Sequence, residues 1–307
     1  MASALHDPER GYYARRIREV GRRGDFSTAA TLAPALGLAV SRWAADALAA
    51  TGCRDLIELG PGGGVLAAAV QSNLPLRRRW RTRIHLVEQS EPLREQQLQR
   101  LGARFRWHTT LVEALAACRG RACIFSNEFF DAFPVRRFRR TSSEWEESWV
   151  LPGEETWRPI TSPPDSSVFG QDFPEGRIVE VHESVRDWMT SSLSHWHRGR
   201  MLTIDYGSEI GSLYHRRPAG TLRGYLHHQR VEGRECFLRP GRQDLTTDIN
   251  FTDLVNWSAP WSETRRLVSQ AEFLADSIDP HDAGDRAVAD PTGAGGSFLV
   301  WEAERRP

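Results

Sequence analysis

Apolar positions along this chain follow two alternating rhythms. From Pro34 to Ala50 they recur at helical spacing (Leu36, Val40, Trp43, Ala44, Ala47, Leu48), and Thr51-Gly52 supplies the stop. Asp55 to Leu59 then reads as a short strand, Gly60-Pro61-Gly62-Gly63-Gly64 as a turn, and Val65 to Val70 as the opening of a second helix. The alternation continues with a strand from Arg83 to Glu88, a helix from Leu93 to Leu101 and a third strand from Phe105 to His108. A further buried strand runs from Arg121 to Phe125. Strand, turn and helix in repetition predict a Rossmann-like α/β core built on a doubly wound sheet.

After Pro134 the rhythm changes. Polar and aromatic residues alternate, which predicts an inserted antiparallel hairpin at about 135–176, turning at Pro152-Gly153 with Trp145, Trp149 and Trp157 on one packed face. Core elements return with a strand from Arg177 to Val181, a helix from Val185 to Trp196 and a strand from Arg200 to Gly207. The Arg-, His- and Gly-rich stretch at about 208–243 predicts a long loop or lid. Helical periodicity resumes from Asp244 to Trp257, with Asp248 or Asn250 as cap, and again from Val268 to Asp276. A final strand, Ser297 to Glu302, is expected at the edge of the sheet. The expected organisation is a helical N-terminal cap over 1–50 and a core over 51–307.

Composition narrows the function classes. The 307 residues carry 40 basic and 40 acidic side chains, so no overall positive field argues for nucleic acid. Lys is absent, so every basic residue is Arg, a planar donor suited to bidentate pairing. No apolar run reaches membrane-spanning length. Cys53, Cys118, Cys123 and Cys236 form no CxxC pair, and the neighbouring His227-His228 lack further ligands at a sensible spacing, so no metal is expected. Free thiols and an N-terminus without a hydrophobic leader segment point to the cytoplasm. A monomer or weak homodimer is the expected assembly.

Candidate chemistry gathers where strands end. Glycines after the first strand let backbone approach a ligand and adopt turns closed to other residues. Their pattern is neither the dinucleotide GxGxxG nor a P-loop. Glu88 ends the second strand, where an acid can accept both hydroxyls of a ribose; the plainer reading is an exposed strand terminus. The stretch SNEFFDAFPV (126–135) sets Asn127, Glu128 and Asp131 at the mouth of a buried strand, among Phe129, Phe130 and Phe133.

These segments, with GYYARRIREVGRRGDFST, LTIDYG, GTLRGYLHH, RPGRQDLTTDINF and QAEFL, resemble in order the MidA-type (DUF185) family of S-adenosylmethionine-dependent methyltransferases. The resemblance implies a class I methyltransferase sheet with a helical N-terminal extension and an inserted hairpin and lid. It implies S-adenosyl-L-methionine (SAM) as cofactor, held by Gly60, Gly62 and Gly64 with Glu58, Glu88 and Asn127. Asp25 and Thr28 match a motif thought to close over the same cleft. The family has a mitochondrial member that methylates arginine on a complex I core subunit, which implies a protein substrate. Ala29-Ala30-Thr31 and Leu36-Gly37 depart from its usual pattern.

Methyl transfer from a sulfonium is an in-line displacement that needs alignment more than covalent chemistry. If the acceptor is an arginine, carboxylates pair with the guanidinium and favour loss of its proton. Glu128 and Asp131, with Asn127 beside them and Glu183 as a third acid, are the catalytic candidates. Capping by Asp131 and a purely cofactor-side role for Glu128 are the plainer alternatives. An acidic small molecule as acceptor fits these residues as well. A non-catalytic assembly protein on the same fold is a third reading, against which the intact Gly60 to Gly64, Glu88 and Asn127-Glu128 count.

Overall fold

The computed structural model describes residues 1–15, 33–151, 154–226 and 229–306. In chain order its strands are β1 Asp55–Leu59, β2 Arg83–Val87, β3 Phe105–His108, β4 Ala122–Asn127, β5 Arg136–Arg140, β6 Trp145–Leu151, β7 Glu154–Pro159 and β8 Ile178–Val181. They continue with β9 Arg200–Ser208, β10 Arg223–Leu226, β11 Gln229–Glu232, β12 Asp244–Thr246, β13 Ile249–Asn250, β14 Ser262–Ser269 and β15 Phe298–Arg305. Two compact units divide the chain. The larger comprises the described parts of 17–129, 189–205 and 258–307, and the smaller those of 1–16, 130–188 and 206–257.

The larger unit holds the α/β core. Its sheet runs β14-β15-β9-β4-β1-β2-β3, and the β9-β4, β4-β1, β1-β2 and β2-β3 pairs are parallel. Chain order reverses between β1 and β4, so the crevice outside their carboxyl ends is the switch point where doubly wound sheets bind ligands. All five residues of β1 and all six of β4 are buried. That is why Ala122 to Phe125 in β4 reads as a short continuous apolar run, while β1 buries Asp55 and Glu58 among its apolar residues. The helix Pro34–Thr51 buries Leu36, Val40, Trp43, Ala44, Ala47 and Leu48 and ends on Gly52 in the left-handed conformation.

The closing strand is not at the edge. β15 lies between β9 and β14, and β14 pairs with it antiparallel and takes the outer position. The sequence of β14, SETRRLVS, alternates too weakly to be read as a strand, so the helix expected from Val268 shortens to Gln270–Leu274. An exposed edge strand with charged side chains is a common protection against stray pairing.

The smaller unit contains two antiparallel sheets, β7-β6-β5-β8 and β11-β10-β12. The expected hairpin is thus part of a four-stranded sheet; its turn at Pro152-Gly153 lies outside the described residues, as does His227-His228. Trp157 opposes Ser148, and Trp149 opposes Thr156. Side-chain alternation therefore separates Trp157 from Trp145 and Trp149, correcting the single tryptophan face. Trp145 packs edge-on against Phe169, and the Arg139 guanidinium sits 4.6 Å from the Trp157 ring centre. The 208–243 stretch holds β10 and β11, and β12 and β13 replace the first part of the helix expected from Asp244. Asn250 does cap the helix that follows, accepting from the Thr252 amide at 3.1 Å.

Candidate active site at the carboxyl ends of the parallel strands

Gly60, Gly62 and Gly64 all have left-handed φ, at 60°, 50° and 76°. A Cβ on Gly60 would lie 2.8 Å from Cδ2 of Phe129, so side-chain-free backbone is required there by both torsion and space. The turn is held from the side by the helix Glu91–Leu101. Gln97 Nε2 donates to the Gly62 carbonyl at 2.7 Å, and Arg100 Nη1 donates to the Gly63 carbonyl at 2.5 Å. Trp107 Nε1 in turn donates to Gln97 Oε1 at 2.9 Å, fixing that amide. Sequence reading missed Gln97 and Arg100; their helical spacing of three on one face was the available signal.

Two carboxyl groups flank this turn. Glu58 is buried inside β1, and its Oε2 has no hydrogen-bond partner among the described residues. Burial first, then the nearby Glu88 charge, pushes its carboxyl up to about 8. Glu88 follows β2 and accepts from the Ser90 amide at 2.9 Å. Burial pushes it up to about 7 against the lowering effect of that hydrogen bond.

Across the switch point, β4 ends on Asn127. Its Nδ2 donates to Glu128 Oε1 at 3.1 Å, while its Oδ1 is buried without a partner among the described residues. Glu128 has φ of 53°, a conformation that costs an ordinary side chain energy and persists where surroundings impose it. Those surroundings are visible. The Glu128 amide donates to the Ile204 carbonyl at 2.9 Å, and the Phe129 amide donates to Asp205 Oδ2 at 3.2 Å. Asp205 is completely buried in β9 and was not singled out from the sequence.

Register makes these groups neighbours, because Leu59 pairs with Val87 on one side and with Ser126 on the other. Glu58, the glycine turn, Glu88, Asn127 and Glu128 are therefore brought together in the larger unit. Asp131 belongs to the smaller unit. There its Oδ2 accepts from Thr246 Oγ1 at 2.8 Å, and burial raises its pKa. The neighbouring Asp244 is pushed up to about 7 by burial and by Asp131, and it accepts from the Tyr13 hydroxyl at 2.9 Å. Glu183 is engaged by Arg136 at 2.9 Å and Arg186 at 3.0 Å. Asp25 and Thr28 lie outside the described residues.

Two buried, unpartnered oxygens and a side-chain-free turn fit a ligand with hydroxyl and amino donors. Comparison with known proteins agrees. Residues 39–266 match the family described as "Putative S-adenosyl-L-methionine-dependent methyltransferase". The chain is 29% identical to the zebrafish (Danio rerio) protein arginine methyltransferase NDUFAF7, mitochondrial, over 89% of this chain and 71% of the relative. It is 26% identical to the mouse (Mus musculus) protein of that name, over 89% and 68%. A Burkholderia thailandensis structure described as a "likely methyl transferase", bound to S-adenosyl-homocysteine, superposes with a TM-score of 0.86 at 26% identity, covering 99% of this chain and 86% of that one.

The curated relatives are mitochondrial by name, which overturns the cytoplasmic expectation. Reduced thiols mark a reducing compartment and do not separate the cytoplasm from the interior of a mitochondrion. Among the described residues no helix is long and apolar enough to cross a membrane. With a matching model that spans most of its length, the chain belongs to this family of S-adenosyl-L-methionine-dependent methyltransferases.

Proposed function

We propose that the protein transfers a methyl group from SAM to a side-chain nitrogen of a protein substrate, with arginine as the acceptor. The observation that carries this reading is Glu128, held in a left-handed conformation at the end of β4 with its carboxylate against Asn127. A strained acid at a switch point suits a group that must meet the acceptor. The names of the curated relatives support arginine as the acceptor.

Glu88 accepts the ribose hydroxyls, and Glu58, largely protonated at neutral pH, presents a second hydrogen-bonding oxygen. The Gly60–Gly64 backbone admits the cofactor closely, and Asn127 Oδ1 accepts a hydrogen bond from it. When bound, the cofactor supplies an electrophilic methyl group on a positively charged sulfur. Glu128 pairs with the guanidinium, aims one nitrogen, and takes up the proton released as that nitrogen loses its positive charge. Asn127 keeps the Glu128 carboxylate turned toward its task through their 3.1 Å hydrogen bond.

The test is transfer of labelled methyl from SAM into a lysate of the source organism, resolved by size and then hydrolysed to amino acids. The reading expects label in a protein band that yields methylarginine. Label confined to small molecules, or to a different amino acid, overturns it.

A further inference from the structure

At the opposite end of β1 from the glycine turn, three side chains of different chemistry converge. Asp55 opens β1, His85 lies in β2, and Cys118 follows the helix Leu111–Ala117. His85 Nε2 is 3.0 Å from Asp55 Oδ1 and 3.5 Å from Cys118 Sγ, and all three ligand atoms lie within 4.8 Å of one another. His85 is completely buried, and the Asp55 side chain is 4% exposed. The residues stand 30 and 33 positions apart (55 to 85, 85 to 118), so linear spacing concealed them.

We infer that Asp55, His85 and Cys118 form a binding site for a zinc-class divalent cation, separate from the cofactor site. In a tetrahedral zinc site with bonds of about 2.0 Å to N and O and about 2.3 Å to S, neighbouring ligand atoms lie roughly 3.3–3.5 Å apart. The Nε2–Sγ separation of 3.5 Å lies in that range, and the Nε2–Oδ1 separation of 3.0 Å is slightly shorter than it. One imidazole, one thiolate and one carboxylate is a donor set that selects zinc over magnesium or calcium. The carboxylate and thiolate bring two negative charges to a dication, against the positive charge of the Arg83 paired with Asp55.

The surroundings are arranged as a second layer of support. His85 Nδ1 is 2.9 Å from His108 Nε2, which turns Nε2 toward the other two ligands. Arg83 holds Asp55 in a bidentate pair, with contacts of 2.6 and 2.5 Å. Asp55 and Cys118 also line a cavity of about 470 Å³, together with Arg54, Arg83, Arg119 and Arg121. Three protein ligands beside such a cavity leave a fourth position for water or an anion, the pattern of reactive zinc sites.

The experiment uses the untagged full-length protein, stripped with a chelator and titrated with Co(II), then with Zn(II). One equivalent of Co(II) should give a thiolate-to-cobalt charge-transfer band with tetrahedral ligand-field absorption, and zinc should displace it. Cys118→Ser should lose the charge-transfer band, while Cys53→Ser and Cys236→Ser keep it. His108→Ala should keep the stoichiometry and weaken affinity by roughly 10- to 100-fold. Because the band is read first on the folded wild-type protein, a variant that fails to fold does not decide the matter. No charge-transfer band in the wild type, or a band that follows Cys53 instead of Cys118, would overturn the site. A hydrogen-bonded Asp55–His85–Cys118 cluster would then be the whole of it.

Discussion

The Glu58 carboxyl is lifted to about 8 by burial and by the charge of Glu88, whose own carboxyl is lifted to about 7. The two acids stand at the ends of adjacent parallel strands, where Glu58 pairs in register with Leu86, two residues before Glu88. Taking up a partner for Glu58 Oε2 therefore relieves a cost that the unliganded fold carries.

That cost has a pH signature. A carboxyl raised in the folded state binds its proton more tightly there than in the unfolded chain, where its pKa is near 4.5. The stabilisation is full below about 4.5 and is lost as pH rises toward about 8. Glu58→Gln has no such proton to lose. Relative to wild type, its unfolding free energy should gain roughly 1–3 kcal/mol between pH 5 and pH 8. Urea unfolding of both proteins at the two pH values measures this, and parallel profiles would show Glu58 to be unperturbed.

Glu88→Ala should weaken S-adenosyl-homocysteine binding by roughly 1–3 kcal/mol, the scale of lost hydrogen bonds to a charged group. Calorimetry should find one site per wild-type chain. Unchanged affinity in the mutant would remove Glu88 from the ribose site.

At position 128, glycine should be the more stabilising of two small substitutions. Left-handed φ costs residues with a Cβ about 1 kcal/mol or more and costs glycine almost nothing. Glu128→Gly should therefore unfold at higher denaturant than Glu128→Ala by about 1 kcal/mol, the reverse of their usual order. Chemical denaturation of the pair reads this directly. Alanine as the more stable variant would mean that the backbone relaxes there without strain.

Much of the floor of the candidate site was legible because its physics is local. The strand over Asp55–Leu59, the glycine turn and the strand reaching Asn127 each follow from a short run of residues. What was not legible depends on pairing between distant segments. β14 takes the sheet edge only because β15 pairs with it, and Trp157 leaves the Trp145 face only because of the register that sets it opposite Ser148. Glu128 was legible as a residue type. Its left-handed backbone was not, since it depends on the carbonyl of Ile204, 76 positions away (128 to 204). The partners of Asp131, Thr246 and Asp244, were hidden for the same reason.

The central claim, that Glu128 acts on the acceptor and not on the cofactor, is tested by Glu128→Gln in single-turnover methyl transfer paired with SAM calorimetry. The substitution keeps the shape and removes the charge. Cofactor affinity should stay within about threefold, while the transfer rate falls by roughly 10²-fold or more, as for a lost general base. Normal transfer by the mutant, or loss of SAM binding in its place, would contradict the account.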